Sequence, residues 1–284
     1  MKRKILIVGA SGFIGKSLFQ YLNNNNSYEV LGTYFKNKLK NLKKLDYNDS
    51  QSIDDILNKF KPKTIIWCAG IKNLNETEKS KKLTWQHNVD SIKNISAYIK
   101  SYPLTHFIFL STDYVFDGKR GNYDLDDHPN PTTIYGKSKW EAEKYTQKTI
   151  PRYSILRTSA VIGVGSPFFD WVCNSISQKK EIILFNNIFT PTPIKLLVES
   201  IELLLNFKKS ETHHFCGFEN FSRFDIGVLV GNLMKCDKQL IKKNASNNSD
   251  LFQENLSMIS SIQRNEKLYL KDFIKSEIKK YENN

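Results

Sequence analysis

The feature that most constrains this chain is Gly9-Ala10-Ser11-Gly12-Phe13-Ile14-Gly15, a G-x-x-G-x-x-G run directly behind the apolar segment 4–8. An unbroken apolar segment of that length reads as a strand buried on both faces, and residues 15–22 read as the helix that follows it. Glycines at this junction allow a tight turn, let a bound group approach the backbone, and permit close packing of helix on strand. The first turn of the helix adds unpaired N–H groups and a partial positive charge, so the loop suits a pyrophosphate. Gly9, Ser11, Gly12, Phe13, Ile14 and Gly15 are therefore candidate cofactor-binding residues.

The alternation continues downstream. Strand-like segments at 29–33, 64–68, 106–111 and 153–157 interleave with helix-like segments at 52–60, 84–100 and 135–150. Repeated β-α-β with apolar strands predicts an α/β fold built on a doubly wound parallel sheet. Past Gly163 the rhythm loosens into a helix at 168–178, a strand at 181–185, helices at 194–207 and 222–234, a strand at 213–216, a polar loop at 242–250 and a closing helix at 268–281. A chain of 284 residues is long enough for about two domains. The expected division is a dinucleotide-binding domain from 1–163 and 189–217, with a smaller, mostly C-terminal substrate-binding domain from 164–188 and 218–284.

The formal charge of +13 raises the question of nucleic acid. The lysines are dispersed among asparagines rather than gathered into a stripe, so the expectation is a basic solvated face and no nucleic-acid partner. Such a field favours an anionic small substrate. The four cysteines, Cys68, Cys173, Cys216 and Cys236, are scattered, and the adjacent His213 and His214 would point to opposite faces of a strand. Neither pattern supports a metal site, and reduced thiols fit a cytoplasmic protein. No apolar run is long enough to span a bilayer, and glycines cut short the one that imitates a secretory signal. Helical faces able to pair leave a homodimer open.

At the end of the second strand, an NAD site usually carries an acidic residue for the ribose hydroxyls. This chain has Gly32-Thr33-Tyr34, then Lys36 and Lys38. A carboxylate would repel a 2′-phosphate, whereas hydroxyl and ammonium groups can bind it, so NADPH is favoured and NADH remains an alternative. Asp46 is a candidate acceptor for the adenine or, equally, the cap of the next helix. Tyr135-Gly136-Lys137-Ser138-Lys139 places a tyrosine and a lysine one turn apart on one helical face. A phenol of reference pKa about 10 is a poor acid at neutral pH, and a neighbouring ammonium is expected to lower that value and make proton exchange with a carbonyl feasible.

With these motifs assembled, the sequence resembles the extended short-chain dehydrogenase/reductase superfamily and, within it, the branch containing dTDP-4-dehydrorhamnose reductase. The residues that carry the match are the glycine loop, Ser111-Thr112-Asp113-Tyr114-Val115-Phe116-Asp117-Gly118, Asn130-Pro131, Tyr135-Gly136, Lys139, Leu156-Arg157-Thr158-Ser159 and Thr190-Pro191-Thr192. The resemblance implies a Rossmann fold. It implies that Tyr135 donates a proton to a keto oxygen, that Thr112 hydrogen-bonds the same oxygen, and that Lys139 holds the nicotinamide ribose. Asn88 matches the asparagine that supports the lysine through water. Ala69 and Gly70, after the 64–68 segment, complete the expected cofactor-binding set.

Two departures fall in the substrate half. Ala160 stands where the rhamnose-forming reductases commonly have tryptophan, and 256–264 carries no Arg-Pro pair. The resemblance thus implies an NADPH-dependent 4-keto reductase of a nucleotide-linked deoxysugar serving a surface polysaccharide or glycan. A nucleotide-sugar epimerase, or a non-catalytic NADP-binding subunit like the β subunit of methionine adenosyltransferase, are the alternatives. A dehydratase is disfavoured because Tyr114 occupies the place of the glutamate that would remove a proton from the sugar. From Lys36 and Lys38, NADPH should bind about ten- to a hundredfold more tightly than NADH. Equal dissociation constants in a fluorescence titration of the two cofactors would refute that expectation.

Overall fold

Strand β1 (Arg3–Val8) sits inside a seven-stranded sheet, and its residues Ile5, Leu6, Ile7 and Val8 are all fully buried, as a strand covered on both faces requires. The structure is a computed structural model and describes residues 1–244, 251–262 and 267–283. After β1 come α1 (Phe13–Asn23), β2 (Tyr28–Tyr34), the short β3 (Lys43–Lys44), α2 (Ser50–Phe60) and β4 (Thr64–Trp67). They are followed by α3 (Leu74–Lys79), α4 (Lys81–Trp85), α5 (Ser91–Ser101), β5 (His106–Thr112), α6 (Ile134–Thr149) and β6 (Tyr153–Thr158).

The strand Glu211–Phe215 lies at one edge of the sheet, and the order from there is β6-β5-β4-β1-β2-β3. β1 pairs in parallel with β2 and β4, β2 with β3, and β4 with β5. Val8 is registered against Trp67, and Trp67 against Phe109, so the loops after β1, β4 and β5 leave from the same edge. Strand order reverses between β1 and β4, which makes that edge the switch point where α/β sheets bind ligands. The doubly wound α/β expectation is met.

One face of the sheet packs Leu6, Val8, Ile65, Trp67, Phe107 and Phe109 against Ile53 and Leu57 of α2, Ile92, Ile95 and Ile99 of α5, and Ala142 of α6. On the other face α1 is tied to residue 202 of the helix Ile194–Leu204: Glu202 accepts hydrogen bonds from Tyr21 (2.8 Å), Tyr28 (3.0 Å) and Asn25 (3.2 Å). Asp49, not Asp46, caps α2, accepting from the Gln51 and Ser52 amides. Asp46 instead accepts from the Asn48 N–H at 2.9 Å. The single helix expected over 84–100 proves to be three pieces, α4, a π turn at Gln86–Asp90, and α5, with α3 before them. Ser80 caps α4 through the Leu83 amide, an early start that apolar spacing alone does not mark.

Two compact units divide the chain. The first comprises Met1–Val115, Pro129–Arg157 and Val198–His213; the second comprises Phe116–His128, Thr158–Leu197 and His214–Asn284. Against the expected boundaries, 116–128, 158–163, 189–197 and 214–217 group with the second unit. Hydrogen bonds explain the first of these transfers: the Tyr123 N–H donates to the Ser257 carbonyl, and the Ile259 N–H to the Tyr123 carbonyl, both at 2.9 Å. The second unit has its own core, in which Phe169, Val172 and Cys173 of the helix Pro167–Ser177 meet Ile226 and Val230 of Arg223–Leu233 and Phe273 and Ile274 of Leu270–Glu282. Ser166 and Ser222 cap the first two of those helices, the latter in a capping box with Asp225. Of the polar stretch 242–250, residues 245–250 lie outside the described residues, as do 263–264 of the stretch 256–264. Among the described residues no helix is long and apolar enough to cross a membrane.

Within the first unit, the Glu143 carboxylate is fully buried and accepts from the Arg157 guanidinium at 2.8 and 3.1 Å and from the Ser111 hydroxyl. Removing one partner of such a pair strands the other charge out of water. Glu143→Ala should lower the unfolding free energy by about 3–5 kcal/mol. Breaking the exposed Lys4–Glu29 pair, separated by 4.0 Å, should cost less than about 1 kcal/mol. Urea titrations of Glu143→Ala and Lys4→Met would check the contrast, and equal midpoints for the two variants would contradict it.

Candidate active site

The glycine loop is where β1 meets α1, and each glycine has its own reason. Gly9 has φ +85°, a left-handed conformation, and a Cβ there would come within 2.8 Å of the Ala69 backbone nitrogen. A Cβ on Gly15 would collide with the Gly9 carbonyl oxygen, so this glycine lets the helix lie against the strand end. Gly12 differs: a Cβ there meets only the Gly9 oxygen at 3.5 Å, an ordinary contact. The fold does not need Gly12 to lack a side chain, which leaves a group outside the chain as the reason for the space. Gly12 is also the N-cap of α1, with no side-chain cap and no acidic residue in the first turn. That combination fits a pyrophosphate at the helix N-terminus, with Ser11, Phe13 and Ile14 beside it.

The loop after β4 lies alongside. Gly70 has φ +141°, and a Cβ on it would approach Asn88 Oδ1 to 2.7 Å. Asn88, in the π turn, is almost fully buried. Its Oδ1 accepts from the Ile71 N–H at 2.8 Å, while its Nδ2 donates to the Ile71 carbonyl and to Ser138 Oγ, both at 2.9 Å. Asn88 therefore clamps the Ala69–Gly70 loop to α6 one residue before Lys139.

Thr112, Tyr135 and Lys139 converge at the end of β5. Thr133 caps α6 through the Gly136 amide, and a Cβ on Gly136 would strike the Tyr114 carbonyl, so the helix starts pressed against the strand exit. Thr112 Oγ1 accepts from the Tyr114 N–H at 3.2 Å, donates to Asp113 at 3.0 Å, and hydrogen-bonds the Tyr135 side chain. The Tyr114 and Tyr135 rings meet edge to face at 5.8 Å. Lys139 Nζ donates to the Leu110 carbonyl at 2.5 Å and lies 3.9 Å from the centre of the Phe109 ring.

These surroundings correct one expectation. Burial pushes the Tyr135 hydroxyl above its usual range, with the Thr112 hydrogen bond as the opposing influence, and Lys139 does not bring it down. The ammonium is engaged with Leu110 instead. Burial lowers Lys139 to about 7, against the opposing pull of Glu143. Tyr135 thus holds its proton at neutral pH, which is the state a proton donor needs.

At the end of β2 the placement is mixed. Thr33 is fully buried and its hydroxyl donates to the Ile7 carbonyl at 3.3 Å, so it is spent on the sheet interior and does not project beyond the strand. Lys36 lies 5.7 Å from the Phe35 ring, whose edge-on neighbour His87 hydrogen-bonds the Tyr47 hydroxyl at 3.1 Å. Burial first, then Lys36, holds His87 below its ordinary value, against Asp46. Lys36, Asp46 and His87 form one group there, while Lys38 is simply exposed. Sequence reasoning missed His87 and also Glu143, although Tyr135, Lys139 and Glu143 follow one another at four-residue spacing along a single face of α6.

The chain matches the RmlD substrate binding domain family over residues 3–257. It belongs to that family. It is 29% identical over 239 residues to the dTDP-4-dehydrorhamnose reductase of Aggregatibacter actinomycetemcomitans, covering 80% of this chain and 78% of that protein. Methionine adenosyltransferase 2 subunit beta of Danio rerio is 29% identical over 161 residues, 57% of this chain; that match spans about half, 49%, of the relative. Among solved structures, the Bacillus anthracis dTDP-4-dehydrorhamnose reductase in complex with NADP superimposes with a TM-score of 0.86, at 23% identity, over 99% of this chain and 100% of that one.

Gly12→Val should abolish cofactor binding with little change in the fold, because its Cβ has room within the protein and its methyls fill the space before the helix N-terminus. Retained NADPH binding alongside an unchanged circular dichroism spectrum would remove the loop from the site.

Proposed function

We propose that this chain is an NADPH-dependent reductase of a 4-keto, nucleotide-linked deoxysugar, working in the cytoplasm on material for a surface polysaccharide or glycan. The observation that carries the reading is the meeting of Thr112, Tyr135 and Lys139 at the sheet edge from which the glycine loop also leaves. Likeness to the rhamnose-precursor reductases supports the substrate class, and the NADP in the Bacillus anthracis structure supports the cofactor. None of the four cysteines is in a disulfide, which suits a reducing compartment.

The α1 N-terminus with Gly9, Gly12 and Gly15 would hold the pyrophosphate, Ala69 and Gly70 would line its continuation, and Lys36 would meet the 2′-phosphate. Thr33 contributes by not being a carboxylate. Bound there, the reduced nicotinamide supplies a hydride to the keto carbon. Tyr135 gives its hydroxyl proton to the keto oxygen, so the product is the alcohol and the tyrosine is left as a phenolate to be reprotonated. Thr112 hydrogen-bonds the same oxygen and keeps it within reach of the phenol. Lys139, fixed by Leu110 and Phe109, would hold the ribose. The first compact unit would thus carry the cofactor, and the second the sugar.

Tyr135→Phe keeps the ring and deletes the transferred proton. Turnover should fall by about 10²–10⁴-fold with cofactor affinity nearly unchanged. Lys139→Met should reduce turnover and weaken NADPH binding as well. Following NADPH absorbance with a panel of 4-keto sugar nucleotides separates the two variants, and equal rates for wild type and Tyr135→Phe would overturn the mechanism. A wild-type protein that binds NADPH but turns over no sugar would point to the non-catalytic subunit suggested by the likeness to methionine adenosyltransferase 2 subunit beta.

A further inference from the structure

A cavity lies at the opposite edge of the sheet, where β1, β4 and β5 begin. Its volume is about 740 Å³, within the range of small-molecule sites. Pro62, Tyr98, Tyr102, Pro103 and Leu104 give it apolar walls, and Lys2, Lys4, Lys61, Lys63 and Glu29 stand around it. The Tyr98 and Tyr102 rings stack with centres 4.5 Å apart. The Tyr98 hydroxyl is fixed by donation to the Leu57 carbonyl at 3.1 Å, so this wall is held in place from behind. Leu104, at the rim of the cavity, is 77% exposed.

The charge around the cavity is one-sided. Glu29 is the single carboxylate, and Lys4 lies 4.0 Å from it, so that pair is balanced within itself. Lys2, Lys61 and Lys63 remain as three ammonium groups with no ion-pair partner among the described residues. An apolar wall with an unbalanced cationic rim is complementary to an apolar body that ends in an anion. β1 is six residues long, which at about 3.3 Å per residue sets this cavity roughly 20 Å from the glycine loop.

We propose that this cavity is a second ligand site, distinct from the cofactor loop, that takes an amphiphilic organic anion with a hydrocarbon body and a single carboxylate or sulfonate. The hydrocarbon lies along Tyr98, Tyr102 and Leu104, and the anion is held by Lys2, Lys61 and Lys63. The proposal does not depend on the reductase reading, since its probe, its variants and its readout leave the catalytic residues untouched.

Anilinonaphthalene sulfonate, an apolar fluorescent anion, is the probe. The full-length protein should bind it saturably at one site per chain, with the signal displaced by decanoate but neither by decanol nor by saturating NADPH. Leu104→Asp should weaken binding by at least about tenfold, through lost apolar contact and charge repulsion. The triple substitution Lys2→Glu, Lys61→Glu, Lys63→Glu should do the same, and wild-type affinity should fall as salt is raised. All four positions are exposed, so the variants should keep the wild-type melting temperature and NADPH affinity. Displacement by NADPH would place the probe in the cofactor loop and overturn the proposal. Unchanged affinity in both variants, or no saturable signal, would do so as well. A wild-type dimer in sedimentation that Leu104→Asp dissociates would show instead that a second copy of the chain covers this face.

Discussion

The backbone around Gly9 is so crowded that the rest of the site follows from it. A β-carbon at Gly9 would press on the chain leaving β4, and one at Gly15 would run into the Gly9 carbonyl. Without side chains at these points, α1 can begin immediately beyond the strand, and its N-terminal amides are brought to the sheet edge where β4 and β5 also end. The uncapped helix start is a cost to the fold when nothing occupies it, because its first N–H groups lack a partner. The arrangement is therefore most stable with an anion in place, and cofactor binding should be felt as stability throughout the first unit.

A second constraint lies beneath Tyr135 and Lys139. Lys139 is surrounded by Phe109, the Leu110 carbonyl and Cys68, whose thiol burial pushes up to about 12. An ammonium in such a place loses much of its hydration, and Glu143, one turn further along α6, is the nearest compensation. Glu143 is itself shared with Arg157 and Ser111. Lys139, a buried ion pair and the β5 strand thus share one electrostatic balance, so changes at Arg157 reach Lys139 without touching it.

Much of this could be read from the residues. The glycine spacing, the apolar strands and the Y-x-x-x-K pair marked the sheet edge and put Tyr135 and Lys139 on one helical face, because period and spacing are local properties of a chain, whereas Thr112 was marked by the resemblance. What could not be read depends on partners far along it. Thr33 looked like a hydroxyl available at a strand end, yet its side chain is turned to Ile7, a neighbour 26 positions away. Asn88 was marked only through the resemblance, and its hold on Ile71 and Ser138 depends on neighbours 17 and 50 positions away. The lowering of the tyrosine by its lysine failed for the same reason: i and i+4 spacing puts two groups on one face but does not say which carbonyl the ammonium will reach first. The domain boundaries moved because 116–128 is held by residues near 257, which no local pattern can announce.

The π turn at Gln86–Asp90 carries a consequence for the history of the molecule. A wide turn of this kind is what a single-residue insertion leaves in an otherwise regular helix. Excising one of those five residues would let α4 and α5 run on as one continuous rod, with stronger hydrogen bonding along it. It would also rotate one segment against the other by about 100° and carry Asn88 away from Ser138 and Ile71. The irregularity persists at the expense of a better helix, as a surplus residue would if it were kept for the direction in which it points one amide.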